Sequence, residues 1–413
     1  MNRAIDGVHR AGVHRAGVRR AGAHWAGVRR AFLGAVLGAG FFAGGPCWGS
    51  DHLDSPTVIA DPRADIGDIF AWMSPDHRHL NLVMTIVGHS LSDKIDYVFH
   101  VDSGKKFGST TTSTEIVCRF ASATHSDCRV GQNADRAQGD ASVPGGLQGE
   151  RRRLRVFAGL RDDPFFNNVR GTRAAYNVAI KALGSGAAVM SESGCPNFDA
   201  ATSKAILDEW RHTDGGPATN LLAGWTPASI VISVDTGLVS GGGKMLAVWG
   251  ATVSPERQVD RAARPLTGNA LLATLDSAEV SNALKEKYNA ATPADGSQFV
   301  AEIEKGVALY DSFDAHCGNS LLGHRAMAEL LADDRLWINS TSGVCTQLFA
   351  VELASLAGRK ELSHDCGGRT PNYDSVNIYR SLLVDGTYAS VDDGLHHDDK
   401  VHSTIEFPFL AAP

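Results

Sequence analysis

The chain has 413 residues, 43% hydrophobic and 21% charged, enough for one large domain or two. Without its first 49 residues, which hold seven arginines and one acid, it carries 32 Lys+Arg against 45 Asp+Glu, a net charge of −13. That balance excludes nucleic acid as a partner.

Residues 1–49 read as an export signal with a basic leader. Pentad-like repeats such as RAGVH and RAGVR cannot build a core. Arg29-Arg30-Ala31-Phe32-Leu33 then precedes an apolar run from Ala31 to Ala43, too short to span a bilayer but suited to a signal core. Arg-Arg-x-Phe-Leu before such a run resembles a twin-arginine export signal. No later segment is long and apolar enough to serve as a transmembrane anchor. The expected location is periplasmic or secreted. Six cysteines remain after the leader, and an even set in an exported chain points to disulfides. Six cysteines allow fifteen pairings. Near neighbours are preferred, Cys118 with Cys128 and Cys345 with Cys366, which leaves Cys195 with Cys317.

Residues 50–413 read as a single domain. It opens on SDHLDSPTVIADPRADIGDIFAWMSPD, which packs six aspartates and His52 just ahead of, and around, an apolar strand. Carboxylates crowded against apolar residues repel one another and lose water, so they need a cation, backbone donors or arginines. Asp61, Asp65 and Asp68 stand four and three apart, which suits one face of a helical turn with Asp61 as cap, Pro62 at its first position and Arg63 as a partner. Strands follow over 68–73, 79–88, 96–102 and 110–120, read as an antiparallel meander with one face buried. Residues 121–150 are polar and Gly-rich, a loop or excursion. A strand over 153–160 runs into Arg161-Asp162-Asp163-Pro164 and two phenylalanines. Helical periodicity appears at about 199–212 and 266–384, with the clearest helix near Phe299–Phe313. Strands at 230–235 and 244–253 are joined by the glycine-rich Ser240–Lys244, which reads as a hairpin connection. The expected fold is therefore mainly β with helical insertions (α+β), an antiparallel β-sandwich core. Helices never alternate regularly with strands, against a doubly wound parallel sheet.

SDHLDSP, DPRADIGDIFAWMSPD, VFAGLRDDPFF, VDRAARPLTGNALL, GGRTPNYDSVNIYRSLL and DDGLHHDDKVHSTIEFPFLAAP together resemble the bacterial family called domain of unknown function 4331, over His52 to Pro413. The resemblance implies an exported protein without a settled activity, its acidic turns belonging to one fold. The chain departs from the family pattern at His396, His397 and His402. DIFAW after an acidic cluster also looks like the first strands of sugar- or haem-binding sandwiches.

Three constellations carry candidate chemistry. His52, Asp61, Asp65 and Asp68, with Asp163 brought in by the fold, would offer oxygen ligands to a calcium-type divalent cation, or surround a hydrogen-bonded arginine. Asp162 and Asp163 could serve a metal-dependent hydrolase as acid and base; the structural reading is a turn whose aspartates bind backbone donors, Arg161 or Arg170. His396, His397 and His402 among Asp398 and Asp399 could chelate a transition metal, or form an exposed acidic loop. His316 and His324, flanking Cys317, are a fainter metal group, better read as structural. No G-x-S-x-G, H-E-x-x-H or P-loop is present. The function expected is an exported cell-envelope binding protein holding metal in acidic turns, with a small-molecule ligand as partner. A hydrolase or a haem- or sugar-binding sandwich is the alternative.

Overall fold

The computed structural model describes residues 53–413, Ala123 excepted. The export leader and His52 lie outside the described residues.

In chain order the first half holds α1 (Pro56–Ala60), β1 (Ile66–Met73), β2 (His79–Ile86), β3 (Asp96–Gly104), β4 (Thr112–Ser122), β5 (His125–Val130), β6 (Asp135–Gly139), β7 (Leu147–Gln148), β8 (Leu154–Leu160), α2 (Val169–Gly184) and α3 (Ala200–Trp210). The second half holds β9 (His212–Thr213), β10 (Gly216–Pro217), β11 (Ala228–Asp235), α4 (Thr236–Val239), β12 (Met245–Val253), β13 (Gln258–Ala262), α5 (Thr267–Leu271), α6 (Ala278–Asn289), α7 (Val300–Asp311), α8 (His324–Ala332), β14 (Leu336–Asn339), α9 (Ala350–Leu356) and α10 (Ser375–Val384). The fold is α+β and mainly sheet, as the patterning predicts.

Two open antiparallel sheets pack face to face. One runs β1-β2-β11-β8-β7, the other β13-β12-β3-β4-β5-β6. One edge of β12 is shared end to end: Met245–Val248 pairs with β14 and Gly250–Val253 with β13. The sheets meet over an apolar core that includes Ile69, Met84, Phe99, Val101, Ile116, Val156, Ile230 and Val248. Gly250 marks their closest approach, since a Cβ there would lie 2.5 Å from Ile69 Cδ1 and 2.8 Å from Met84 Cε. A second apolar core joins α2, α3 and the later helices around Trp210, Tyr310, Phe313, Leu353 and Tyr379.

Local patterning places the strands but not their neighbours. The expected meander is corrected: β2 pairs with β1 and β11, while β3 pairs with β4 and β12 in the other sheet. The chain between β2 and β3 therefore crosses the sandwich. Ser240–Lys244 is likewise no hairpin, because β11 and β12 belong to different sheets. The segment 121–150 is not a loop throughout; β5 and β6 extend the second sheet beyond β4. Their buried face carries Ser126, Cys128, Val130, Asp135 and Ala137, too small and polar to read as a core stripe. Helix α2 also lies outside the expected helical segments; its buried stripe of Val169, Thr172, Ala175, Tyr176, Ala179 and Ala182 is at helical spacing but made mostly of small residues. Its signal is Asn168, whose side chain caps it by accepting from Gly171 N at 3.0 Å.

The three bonds Cys118–Cys128, Cys195–Cys317 and Cys345–Cys366 are present. Cys118 and Cys128 face each other directly across β4 and β5. Among the described residues no helix is long and apolar enough to cross a membrane.

On the outer face of the first sheet, period-two alternation sets three rows across the strands. Trp72, Asn81, Ser233 and Arg155 form one; Phe70, Val83, Val231 and Phe157 the next; Asp68, Thr85, Ser229 and Gly159 the third. The segment Gly367-Gly368-Arg369 lies along the free edge of β1. Arg369 N donates to Ala71 O at 2.8 Å and Ala71 N to Arg369 O at 2.9 Å. Gly368 has φ +66°, and a Cβ there would sit 2.2 Å from Ala71 O. Gly368→Ala should therefore lower stability by about 1–3 kcal/mol for the backbone conformation alone, and by more for the clash. Urea unfolding would measure it; an unchanged midpoint would remove this edge contact from the fold's supports.

Candidate functional site

The aspartates of the opening stretch go to three places, and the reason is the end of α1. That helix begins at Pro56, not Pro62, and Asp61 is its C-terminal cap. Asp61, Asp65 and Asp68 therefore do not share a helical face. Asp61 is half-buried and makes a two-pronged pair with Arg63, Nε–Oδ1 2.8 Å and Nη2–Oδ2 2.9 Å. That pairing holds its carboxyl below the usual range.

Asp65 joins Asp54 and Asp260, all buried between α1, β13 and α6. Asp260 accepts from Ile66 N at 2.7 Å and Arg261 N at 2.8 Å; Asp65 accepts from Leu53 N at 2.9 Å; Asp54 accepts from Asn289 Nδ2 at 3.0 Å. Burial pushes all three carboxyls up, Asp54 to about 6 against the pull of Lys285; the charge of Asp54 adds to the rise of Asp65, and those of Asp54 and Asp65 to the rise of Asp260. Buried carboxyls so shifted keep their protons to higher pH than exposed ones do.

Asp68 meets Arg369, with Oδ1 2.5 Å from Nη1 and both side chains almost wholly buried. The guanidinium stands 4.2 Å above the Phe70 ring and 5.4 Å from that of Phe165. Asp163 feels the charges of both Asp68 and Arg369. Burial first, and Asp68 second, raise its carboxyl well above the ordinary value. It accepts from Phe165 N at 3.2 Å. Of the five residues expected around a cation, Asp68 and Asp163 thus gather about a buried arginine; Asp65 and Asp61 lie elsewhere and His52 is outside the described residues.

The three C-terminal histidines separate too. His396 is exposed near Asp374 and Asp392, at 3.4 and 3.5 Å. The His397 ring bonds Asp398 O at 2.8 Å. Only His402 is buried in a polar group. Its Nε2 is 3.1 Å from Asp398 Oδ2 and 3.5 Å from Asp162 Oδ2, and Lys400 Nζ is 3.2 Å from Asp162 Oδ1. One ligand atom each from Asp162, Asp398 and His402 lies within 4.8 Å of the others, a spacing open to a metal ion. The tautomer opposes it. Ala411 N donates to His402 Nδ1 at 3.1 Å, so the neutral ring carries its proton on Nε2, toward the carboxylates. A metal-binding imidazole normally has the reverse arrangement, its second nitrogen donating. The two carboxyls diverge: burial raises Asp162 to about 6, whereas hydrogen bonds from His402 and Lys400 N outweigh burial and hold Asp398 at about 2. The group is a carboxyl pair of unequal acidity with a lysine counter-charge.

A cleft of about 440 Å³ opens on the outer face of the first sheet, at the row of Asn81, Ser233 and Arg155. Its other wall is the C-terminal segment, anchored by Trp72, whose Nε1 donates to Thr404 O at 3.0 Å and whose ring packs edge-on against Phe409 at 4.9 Å. Arg155 lays its guanidinium 4.3 Å from the Phe407 ring centre and donates from Nε to Gly145 O at 2.7 Å. Among the described residues no carboxylate pairs with it. Arg153 in the same wall is bound to Asp235 at 2.9 Å, and Arg152 is exposed. Sequence reading missed this cleft. One signal was available: in the strand over 153–160, Arg155 shares a face with Phe157, placing a cation beside apolar surface.

No known family, no curated protein and no solved structure matches the chain.

The Asp162 shift fixes a sign. With a folded-state value of about 6 against an ordinary 3.8, the folded chain binds the extra proton between those limits. Stability therefore falls as pH rises through that window, and the group's contribution is fully present below it. Asp54 acts in the same window and direction. Asp162→Asn should flatten part of the decline, leaving that of Asp54. Unfolding free energies across pH 3.8 to about 6 test this; parallel curves for the parent and variant chains would show that Asp162 titrates normally.

Proposed function

We propose that the protein is an exported binding protein of the cell envelope that captures a small anionic ligand bearing hydroxyl groups, such as an acidic sugar, in the arginine cleft. The leader composition and three disulfides support export to an oxidising compartment. The observation that carries the ligand class is Arg155: a cation laid on an aromatic ring, without an internal carboxylate, in a chain whose residues beyond the leader have 13 more acids than bases. A guanidinium with its nitrogen fork open suits a carboxylate or phosphate, and Phe407 offers a ring face. Asn81, Ser233 and Gln148 add donors and acceptors for hydroxyls.

The cleft volume falls within the usual range for small-molecule sites, about 300–1,000 Å³. A wider groove of about 720 Å³ near Glu115 and Arg129 has no aromatic wall. Two apolar cavities, of about 160 and 20 Å³, fall below that range, which weakens a haem reading. The hydrolase reading loses support because Asp162 and Asp163 are buried and line none of these clefts. Calorimetric titration with uronic acids and sugar phosphates tests the proposal. Arg155→Ala should weaken binding by about 1.5–3 kcal/mol, roughly tenfold to hundredfold, and added salt should weaken the parent chain's binding further. Equal affinity in the variant would overturn the assignment.

A second reading, an ion held by Asp162, Asp398 and His402, draws on their 4.8 Å spacing. The His402 tautomer and Lys400 weigh against it. Chelator treatment should therefore leave the melting temperature of the purified protein unchanged. A drop that added calcium or zinc reverses would favour the ion, since a ligand of the native state alone stabilises by mass action.

A further inference from the structure

The bond Cys195–Cys317 has neighbours that the other two bonds lack. Cys195 is buried and Cys317 exposed. Cys195 Sγ lies 3.6 Å from Asp311 Oδ2 and 3.7 Å from His324 Nε2, and His324 Nε2 lies 2.6 Å from Asp311 Oδ2. One ligand atom from each of Cys195, Asp311, Cys317 and His324 is within 4.8 Å of the rest. Neither of the other bonds has such a group about it among the described residues.

We propose that reducing this disulfide turns the four side chains into a site for a zinc-class divalent ion. Two sulfurs, an imidazole nitrogen and a carboxylate oxygen form the tetrahedral, borderline-soft set that zinc takes. Three of the four come from one stretch. Asp311 ends α7, His324 begins α8, and Cys317 lies in the connection between them. The Asp311 carboxylate is already aimed, its Oδ2 accepting from Gly318 N at 2.5 Å and its Oδ1 from Ser320 N at 2.8 Å. Cys195 comes from the loop between α2 and α3. His324 differs from His402 in the point that matters. No protein group among the described residues bonds its Nδ1, so the ring can carry its proton there and offer Nε2 to an ion.

The chemistry balances with a dithiol as reductant. Its two thiols pass two electrons to the Cys195–Cys317 bond, it leaves as its own disulfide, and its two protons move to the freed thiols. The ion then binds both sulfurs as thiolates and releases those two protons to water. Two thiolates and the carboxylate leave the loaded site at a charge of about −1. In the oxidised chain the bridge spends both sulfurs on each other, and Asp311 with His324 forms only an ion pair.

The experiment uses the full chain, reduced with a dithiol and desalted without air, with peptide mapping to show that Cys195 and Cys317 are free thiols. Cobalt(II) is the probe. The reduced, folded protein should show a thiolate-to-cobalt charge-transfer band that zinc abolishes by displacement, and elemental analysis should find the ion retained. The oxidised protein should show neither. His324→Ala should lose retention of the ion with all cysteines in place. The double variant Cys195→Ser, Cys317→Ser needs no reduction to open the bridge and should give no band, its circular dichroism reporting that it folds. A reduced, folded chain without the band, or a band equally strong in His324→Ala, would overturn the proposal and leave Asp311 and His324 as a helix-joining ion pair.

Discussion

The pair of Asp68 and Arg369 is the contact on which the rest of the molecule leans. It joins the outer face of β1 to a segment that arrives some 300 residues later, the two numbers differing by 301. The same arginine pairs its backbone with Ala71, stacks on Phe70 and lies near Phe165, so one residue ties the sheet edge to the loop that leads into α2. Two ions taken out of water cost more than a surface pair returns, and losing either one strands the other, at about 3–5 kcal/mol. The arrangement is therefore less a source of stability than a constraint: the Gly367–Arg369 segment has one permitted position against β1.

That constraint explains how an acidic chain buries so many carboxyls. Each buried group has its own compensation within the protein. Asp68 has a guanidinium, Asp398 an imidazole and a backbone donor, and Asp260 two backbone donors. Burial raises Asp54 and Asp162 to about 6, so each keeps its proton to higher pH than a free carboxyl does. A crowd of aspartates in a sequence invites a cation, yet protons, arginine and peptide N–H groups meet the same electrostatic demand without one.

Much of the architecture was legible locally. Period two in HLNLVMTI, the apolar run from Ile69 to Met73, helical spacing at Phe299, Ile303, Val307 and Tyr310, and an even cysteine count lead to a sandwich, a helical body and the three bonds. Pairing was not legible, because β2 takes β11 as a neighbour from about 150 residues away and no local pattern encodes a partner. The same limit applies to the site. Asp68 and Asp163 were read as neighbours from composition, but Arg369 between them belongs to a distant segment. The Pro62 reading misplaced α1 by one proline: Pro56 occupies the first helical position and Asp61 the last cap.

The arginines of the structure differ in whether a carboxylate answers them and in where they stand. Arg369 and Arg264 are buried and matched, to Asp68 and Glu352. Arg153 is half-buried and matched, to Asp235. Arg155, like Arg161 on Phe157 and Arg261 on Tyr288, lies on an aromatic ring with no carboxylate paired to it among the described residues, but of these three it is the one that lines the cleft of about 440 Å³. Its fork is held on an aromatic ring and by one carbonyl, at the mouth of a cleft whose far wall stands on Trp72. A scaffold arginine is worth keeping where its charge is answered inside the protein. One that is positioned and left unanswered keeps its desolvation low and its donors free, which is the condition for an outside anion to complete the set. The strand that carries Arg155 is thus structural on its inner face and the best candidate for recognition on its outer one.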